Sequence, residues 1–187
     1  MANEKKILDF IFELGQLKRE KRHGWLHVGI ECPESVADHS LRAAQIGYIL
    51  AKLEKYPKPE EICAILVFHE LAECRTGDLD KIAQRYIQKN ETAVVLEQTS
   101  KLEDIGESIR ELTKPALSKS GRAGIISKDA DLLETALTAR EYLERGYKTE
   151  EWITNCLARL KTESARKLGK ALMRQKSIVW WKGLKRF

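Results

Sequence analysis

Cysteines, prolines and long apolar runs are few in this sequence, and each scarcity excludes a class of protein. The four cysteines, Cys32, Cys63, Cys74 and Cys156, form no CxxC pair, so neither a disulfide framework nor a cysteine zinc site is expected. No apolar run approaches the roughly 20 residues that a membrane-spanning helix needs, and no signal-peptide core follows the first residues. These absences predict a cytoplasmic protein with reduced thiols and no membrane span.

Alternating runs of β-branched residues are also missing, whereas apolar residues recur at helical spacing. Four prolines and eleven glycines interrupt the chain, and 187 residues with 43% hydrophobic content are enough to bury one core. We therefore predict an all-α fold. One helical-bundle domain is expected over residues 1–160, followed by a basic helical extension over residues 161–187 that packs on the same domain or on a dimer partner.

The basic character of the chain belongs to that extension. The net charge of the whole sequence is +5, but residues 161–187 hold nine Lys and Arg and one acid, so the remainder carries −3. Two interpretations stay open. The segment packs through an apolar side that contains Leu168, Leu172, Ile178 and Trp181, or its cations attract nucleic acid or an anionic surface.

Start and stop signals divide the chain into helices. Ser35, with Asp38 three residues later, predicts a capped helix over residues 36–50. Pro57 and Pro59 end it and begin another helix, which runs to Gly77. The other predicted segments are a first helix over 7–17, a connection over 24–34, a short helix over 79–86, a helix over 92–112, a loop over 114–121, and helices over 122–145, 150–160 and 162–187.

Ionisable side chains replace aliphatic ones on the buried faces of these helices. Ile62, Leu66, His69 and Glu73 share one helix face, and His39 lies on the apolar stripe of the preceding helix. A buried charge is costly unless it is paired or binds a metal. The inward-facing candidates are His39, His69, Glu70, Glu73 and one of Asp129 or Asp131.

Two imidazoles and two carboxylates from this set would balance the charge of a divalent cation. Such mixed ligands suit Mn²⁺, Co²⁺, Fe²⁺, Ni²⁺ or Zn²⁺ better than Ca²⁺ or Mg²⁺. The alternative for either histidine alone is a hydrogen-bonded core residue.

The sequence around these residues resembles that of a known family. His39, the pair His69-Glu70 and Asp131 are similar to the H…HD…D metal ligands of the HD-domain phosphohydrolases, with Glu70 in place of the family's aspartate. Residues 33–40 (Pro-Glu-Ser-Val-Ala-Asp-His-Ser) and the stretch from His69 to Asp78 resemble the 5′-deoxynucleotidase branch. The resemblance implies an HD-type helical bundle, one divalent metal held by those four residues, a small nucleotide substrate and a homodimer.

The same resemblance implies roles for the residues around the metal. Glu73 would orient water or shuttle a proton, and Asp78 would be a second catalytic carboxylate. Trp25 would lie near the sugar. The family places a phosphate contact just before this tryptophan, where this chain has Gly24, and Arg22 or His23 would supply it instead, with Arg22 taken as the candidate. The alternatives are an ion pair between Glu73 and Arg75, a turn or cap role for Asp78, and plain packing for Trp25.

The implied activity is hydrolysis of deoxynucleoside 5′-monophosphates to nucleoside and phosphate. One alternative keeps the metal and changes the substrate to a cyclic nucleotide, a nucleoside di- or triphosphate or another phosphate ester. An alternative of a different class is a helical nucleic-acid-binding module with a degenerate metal site.

Overall fold

The computed structural model describes residues 3–184, and these residues form helices joined by short connections. In chain order the helices are α1 (Glu4–Leu14), α2 (Val36–Leu53), α3 (Pro59–Phe68), α4 (Glu73–Thr76), α5 (Glu91–Thr99), α6 (Glu103–Ser118), α7 (Gly121–Glu144), α8 (Glu150–Ala158) and α9 (Glu163–Leu172). Single 3₁₀ turns lie at Gly15–Lys18, His23–Val28, Ala83–Arg85 and Val179–Trp181. The β-type pairing within residues 3–184 is one isolated bridge between Lys21 and Ser35. The predicted all-α fold is confirmed.

Helices α2, α3 and α7 form the centre of the bundle. Their facing side chains, among them Leu50, Ile62 and Leu133, are buried in one apolar cluster, and each such aliphatic side chain contributes roughly 1.5–3 kcal/mol by leaving water. A Cβ atom added to Gly47 would lie 2.2 Å from a methyl of Leu66, so glycine permits the close approach of α2 to α3. This packing brings the N-terminal half of α2 beside the C-terminal end of α3.

The start of α2 is fixed as the sequence predicts. The Ser35 hydroxyl accepts the N–H of Asp38, and the Asp38 carboxylate accepts the N–H of Ser35, which completes a capping box. The cap sets the position of His39, one turn into the helix.

Helix α3 ends at Phe68, and the prediction that it runs to Gly77 is wrong. Residues 69–72 form tighter turns in which N–H groups bond three residues back, as Leu71 does to the Phe68 carbonyl at 3.1 Å. The change coincides with a contact of the His69 ring, whose Nδ1 donates to the Leu66 carbonyl at 2.7 Å. That carbonyl is the acceptor that the N–H of Glu70 would use in a continued α-helix.

The predicted single helix over residues 92–112 is two helices, α5 and α6. The start of α6 turns back against the end of α5, and a Cβ added to Gly106 would lie 2.2 Å from the Thr99 carbonyl oxygen. The predicted loop over 114–121 is also wrong, because α6 continues through Pro115 to Ser118. Ala116 packs on the main apolar cluster and holds this last turn in place, although proline removes one hydrogen bond.

The later helices α7 and α8 agree with their predicted positions, whereas the short helix expected over 79–86 is only the 3₁₀ turn Ala83–Arg85. The prediction of helical structure over 162–187 is wrong beyond Leu172, because α9 ends there and the described residues after it form only the 3₁₀ turn Val179–Trp181. Ala165 and Leu172 of α9 are buried in the main cluster. Lys185, Arg186 and Phe187 of the basic extension lie outside the described residues, and a domain boundary at residue 160 stays a prediction. Within residues 3–184, no helix combines the length and the hydropathy that crossing a membrane requires.

Candidate metal centre

The bundle brings the four predicted metal ligands together from α2, from the turns after α3 and from α7. One ligand atom from each of His39, His69, Glu70 and Asp131 lies within 4.8 Å of every other. The His39 Nε2 lies 3.3 Å from an Asp131 oxygen, and the His69 Nε2 lies 3.3 Å from a Glu70 oxygen. The two imidazole rings stand 5.4 Å apart between their centres.

Both histidines turn the same ring nitrogen toward this cluster. The His69 Nδ1 donates to the Leu66 carbonyl, and the His39 Nδ1 donates to the Glu134 carboxylate. Each Nδ1 therefore carries hydrogen, which leaves Nε2 with a free lone pair in the neutral ring. Among the described residues, both Nε2 atoms are buried without a hydrogen-bond partner.

The structure separates Asp131 from Asp129, which the helical pattern alone does not. The Asp129 carboxylate accepts the N–H groups of Lys161 and Thr162 and the Thr162 hydroxyl, so it holds the start of α9. Asp131 faces the histidines instead, and its second oxygen pairs with Lys128 at 2.5 Å.

The electrostatics of the cluster favour a positive charge at its centre. Burial opposes the ionisation of Asp131, but Lys128 and His39 hold the pKa of this carboxyl well below its usual range. Burial likewise opposes the ionisation of Glu70, and the neighbouring His69 and Arg22 lower its pKa. Burial and Arg22 disfavour the charged form of His39, yet Asp131 and Glu134 outweigh them and raise its pKa to about 9. A metal that binds Nε2 would therefore displace a proton from this ring.

Arg22 reaches the same cluster from the connection before α2. Its guanidinium lies 3.8 Å from the Glu70 carboxylate and donates to the Thr135 hydroxyl. Burial disfavours the charged guanidinium, but the carboxylates around it, those of Glu70, Asp78, Asp131 and Glu134, raise the pKa of Arg22. It is a permanent cation beside the four candidate ligands.

Glu73 is buried next to the cluster at the start of α4. One oxygen pairs with Lys89 at 3.3 Å, and the other has no hydrogen-bond partner among the described residues. Burial, together with the charges of Glu70 and Asp78, raises the pKa of Glu73 to about 9. The alternative of an ion pair between Glu73 and Arg75 is wrong, because Arg75 pairs with Glu13 and Glu97.

Asp78 is buried just past α4, where Gly77 adopts a positive φ of 69°. Its carboxylate accepts the backbone N–H of His23 at 2.6 Å, and its own N–H donates to Glu20 at 2.9 Å. These bonds tie the end of the His69–Asp78 stretch to the segment that carries Arg22. Asp78 thus accepts a backbone N–H, as a capping residue does, and the N–H belongs to His23, the neighbour of Arg22.

Trp25 is enclosed rather than open to the cluster. Its ring packs against Tyr142 and Trp152, with centroid distances of 5.3 and 5.6 Å, and its N–H donates to Glu34. The side chain is 2% exposed. Packing is the role that these contacts describe, and a contact with a sugar stays a prediction.

Three functional candidates escape the sequence reasoning: Glu134, Arg42 and Lys89. Glu134 is fully buried and bonds both His39 and Arg42. Lys89 pairs with Glu73 and also donates to the Gly77 carbonyl. A signal does exist for the first two, because Arg42 follows His39 by three residues and Glu134 follows Asp131 by three, which places each on the same helix face as a candidate ligand.

The donor set fits a divalent transition metal. Two imidazole nitrogens, which have no hydrogen-bond partner in the part of the chain that the structure describes, converge with two ionised carboxylates so that the four ligand atoms lie within 4.8 Å of one another. This combination of ligands is typical of such ions.

Comparison with known proteins agrees with this chemistry. Residues 14–172 match the model of the HD domain family. The 5′-deoxynucleotidase HDDC2 of Dictyostelium discoideum is 32% identical to this chain over 156 residues, which cover 78% of this chain and 82% of that protein.

Solved structures resemble the fold. A conserved hypothetical protein from Pyrococcus furiosus is 32% identical with a TM-score of 0.75, over 90% of this chain and 99% of that one. The cyanophage S-2L HD phosphohydrolase DatZ, bound to dA and one catalytic Zn²⁺ ion, has a TM-score of 0.58 over 87% of this chain and 94% of that one. At 18% identity this second likeness concerns the fold alone. On the family match and the identity to its relatives, the chain belongs to the HD domain family.

Proposed function

We propose that this protein is a metal-dependent 5′-deoxynucleotidase, which hydrolyses deoxynucleoside 5′-monophosphates to nucleoside and phosphate. The observation that carries the proposal is the convergence of His39, His69, Glu70 and Asp131 within 4.8 Å, with both Nε2 atoms unpartnered among the described residues. The relatives that match most of this chain are named 5′-deoxynucleotidases, which supports the substrate class.

The four clustered residues would hold one divalent ion, and Mn²⁺, Co²⁺, Fe²⁺, Ni²⁺ and Zn²⁺ are the candidates that suit two imidazoles and two carboxylates. Such an ion, when bound, supplies a Lewis acid that polarises a phosphoryl oxygen and lowers the pKa of water. Glu70 replaces the family's aspartate and is one methylene longer, and one of its carboxylate oxygens lies within 4.8 Å of the other three ligand atoms.

Arg22 and Glu73 would act directly on the substrate and on water. The Arg22 guanidinium is fixed by Thr135 and Glu70, and its planar donors match the oxygens of a phosphate monoester. Glu73 is buried and holds one unpartnered oxygen among the described residues. It would orient water for attack on phosphorus or shuttle a proton.

Asp78 would act at the leaving group. It lies at the end of the same stretch and is held by the His23 N–H. A carboxyl group at this point would protonate the departing 5′-oxygen or hold the sugar. Trp25 would act on the substrate only indirectly, because its indole N–H is bonded to Glu34.

The proposal is tested with purified protein that is stripped of metal and then reloaded with each candidate ion in turn. Release of inorganic phosphate is measured on a panel of deoxynucleoside and ribonucleoside mono-, di- and triphosphates and cyclic nucleotides. We expect phosphate from deoxynucleoside 5′-monophosphates only after reloading. Release from triphosphates or cyclic nucleotides alone would assign a different phosphohydrolase activity.

The remaining parts of the proposal concern the assembly and its surroundings. We expect a homodimer in the cytoplasm, and exposed apolar side chains on α1, Leu8, Ile11 and Phe12, are available for a subunit contact. All four cysteines are unpaired, as in a reducing compartment. We also propose that the basic extension contacts nucleic acid or an anionic surface, and salt-dependent binding to a polynucleotide tests this contact.

A further inference from the structure

Glu134 lies behind His39, on the side of the ring away from the candidate metal position. It is fully buried on α7, and its carboxylate accepts the Nδ1–H of His39. The opposite ring nitrogen, Nε2, lies 3.3 Å from Asp131. The imidazole is therefore held from behind by a carboxylate and presents its free nitrogen to the ligand cluster.

The two candidate histidine ligands differ in what holds them. His69 donates to a neutral backbone carbonyl, that of Leu66 at 2.7 Å, whereas His39 donates to a charged carboxylate. A carboxylate behind an imidazole makes the ring a stronger base toward a metal and fixes its tautomer and orientation. The contribution of His39 to a metal site thus depends on a residue 95 positions away in the sequence.

Glu134 is itself held by a second layer of contacts. Its other oxygen accepts two bonds from the Arg42 guanidinium, at 3.0 and 2.9 Å, and one from the Thr138 hydroxyl at 2.9 Å. Arg42 continues outward to Glu141 at 2.7 Å. A buried carboxylate is stable when it is paired and fully hydrogen-bonded, and the Arg42 fork meets that requirement.

We propose that Glu134 is a positioning residue for the metal centre, which fixes His39 with Nε2 toward the ion and is in turn oriented by Arg42. This inference rests on the metal site of the proposed function, although not on the identity of the substrate. We therefore expect Glu134→Gln to lose metal affinity, because the amide keeps the size of the side chain and removes its charge.

The test compares Zn²⁺ affinity in the wild type, Glu134→Gln and Glu141→Gln, measured by competition with a chromogenic chelator. Glu141 is the matched control, because it lies on the same helix and bonds the same Arg42 without touching His39. We expect Glu134→Gln to bind Zn²⁺ about 10- to 100-fold more weakly and Glu141→Gln to stay close to the wild type. Circular dichroism of each metal-free protein identifies the temperature range in which all three are folded.

A second readout distinguishes positioning from a structural role. In the zinc-loaded wild type, ¹⁵N NMR of the histidine side chains should show the His39 Nδ1 protonated and the Nε2 bound, and Glu134→Gln should weaken or lose this state. A lower melting temperature of Glu134→Gln with unchanged Zn²⁺ affinity would overturn the inference, as would absence of Zn²⁺ binding by the wild type. If the affinity ratio holds and no deoxynucleotide is hydrolysed, only the proposed substrate class is rejected.

Discussion

Asp129 and Asp131 are two residues apart on α7, the first 1% exposed and the second with a side chain 14% exposed, and the fold uses them in opposite ways. Asp129 accepts hydrogen bonds from two backbone N–H groups and a hydroxyl at the start of α9. Asp131 has one Lys128 contact and a histidine nitrogen at 3.3 Å, and it shares its surroundings with Glu70 and a second histidine. The hydrogen-bonding capacity of the Asp129 carboxylate is used up by other groups of the protein. The Asp131 carboxylate can still accept a metal ion together with the other three ligands.

The difference gives a physical criterion for separating buried charges that hold the fold from buried charges that serve a site. A saturated group contributes to stability, and its loss leaves donors without partners. An unsaturated buried group costs stability and is compensated when a ligand arrives. Glu73, with one oxygen unpartnered among the described residues, belongs with Asp131, whereas Glu134 is as saturated as Asp129.

The largest effect is expected for Asp131→Ala. Removing one of four ligands should abolish stoichiometric metal binding and lower phosphate release by a factor of about 10³ or more, while the metal-free protein stays folded. His69→Ala should give the same pattern. Metal content by mass spectrometry and the rate of phosphate release check this, and a fully active Asp131→Ala protein would remove the residue from the site.

Glu73→Ala is expected to separate metal binding from turnover. Since Glu73 lies beside the cluster and is not among the four convergent ligands, the variant should retain the metal. Its rate should fall by about 10²–10⁴, the range for a lost general acid or base. Metal content and rate are measured on the same preparation, with unchanged turnover as the contradicting result.

Asp129→Ala should affect stability and spare the site. The change leaves the N–H groups of Lys161 and Thr162 without their acceptor at a position only 1% exposed, which costs about 2–4 kcal/mol. Urea unfolding of the metal-free protein measures this loss. At a temperature where the variant is folded, its metal stoichiometry should equal that of the wild type, and a lost metal site would break the contrast with Asp131.

Glu73→Gln should stabilise the metal-free protein, and more so at high pH. Burial and the charges of Glu70 and Asp78 raise the pKa of Glu73 to about 9, so its contribution to stability is present below the unfolded pKa of about 4.3 and is lost as pH rises toward 9. The amide avoids this loss. Melting temperatures at about pH 5 and about pH 8 should differ more between the two proteins at the higher pH, and an equal difference at both would contradict the assignment.

The smallest effect is expected for Arg75→Ala, which removes a surface link between α1 and α5. Arg75 pairs with Glu13 at 2.6 Å and with Glu97 at 3.1 Å, but it is solvent-exposed and lies outside the cluster. The loss of stability should be within about 1 kcal/mol, with metal content and activity unchanged. A strong loss of activity would show that the link between α1 and α5 positions Glu73.

The sequence was sufficient for features set by local chemistry. The Ser35–Asp38 capping box, the long helix α7 and the inward face of His39 follow from caps and periodicity. The end of α3 at Phe68 could not be predicted in this way, because the contact of the His69 ring with the Leu66 carbonyl, which lies at this point, is not indicated by helical periodicity. The break between α5 and α6 depends on packing at Gly106, and the course of α6 through Pro115 depends on the core contact of Ala116.

The candidate site shows the same division. Helical periodicity leaves Asp129 and Asp131 equivalent, since each is a polar residue on a long and largely buried helix. The contact of Asp129 with the start of α9 and that of Asp131 with His39 separate them in the structure. Glu134 and Arg42 were missed because their meaning arises from the packing of α2 on α7. Helical spacing places Arg42 and Glu134 on the same faces as His39 and Asp131, but it does not indicate that the glutamate will lie behind a histidine of another helix.

The central claim is most directly tested by phosphate release from a deoxynucleoside 5′-monophosphate by metal-stripped protein, before and after reloading, in the wild type and in Asp131→Ala. The account predicts no release from the stripped wild type, restored release after reloading, and no restoration in Asp131→Ala. Failure of the reloaded wild type to release phosphate with any of the five candidate ions, or full restoration in Asp131→Ala, would contradict it.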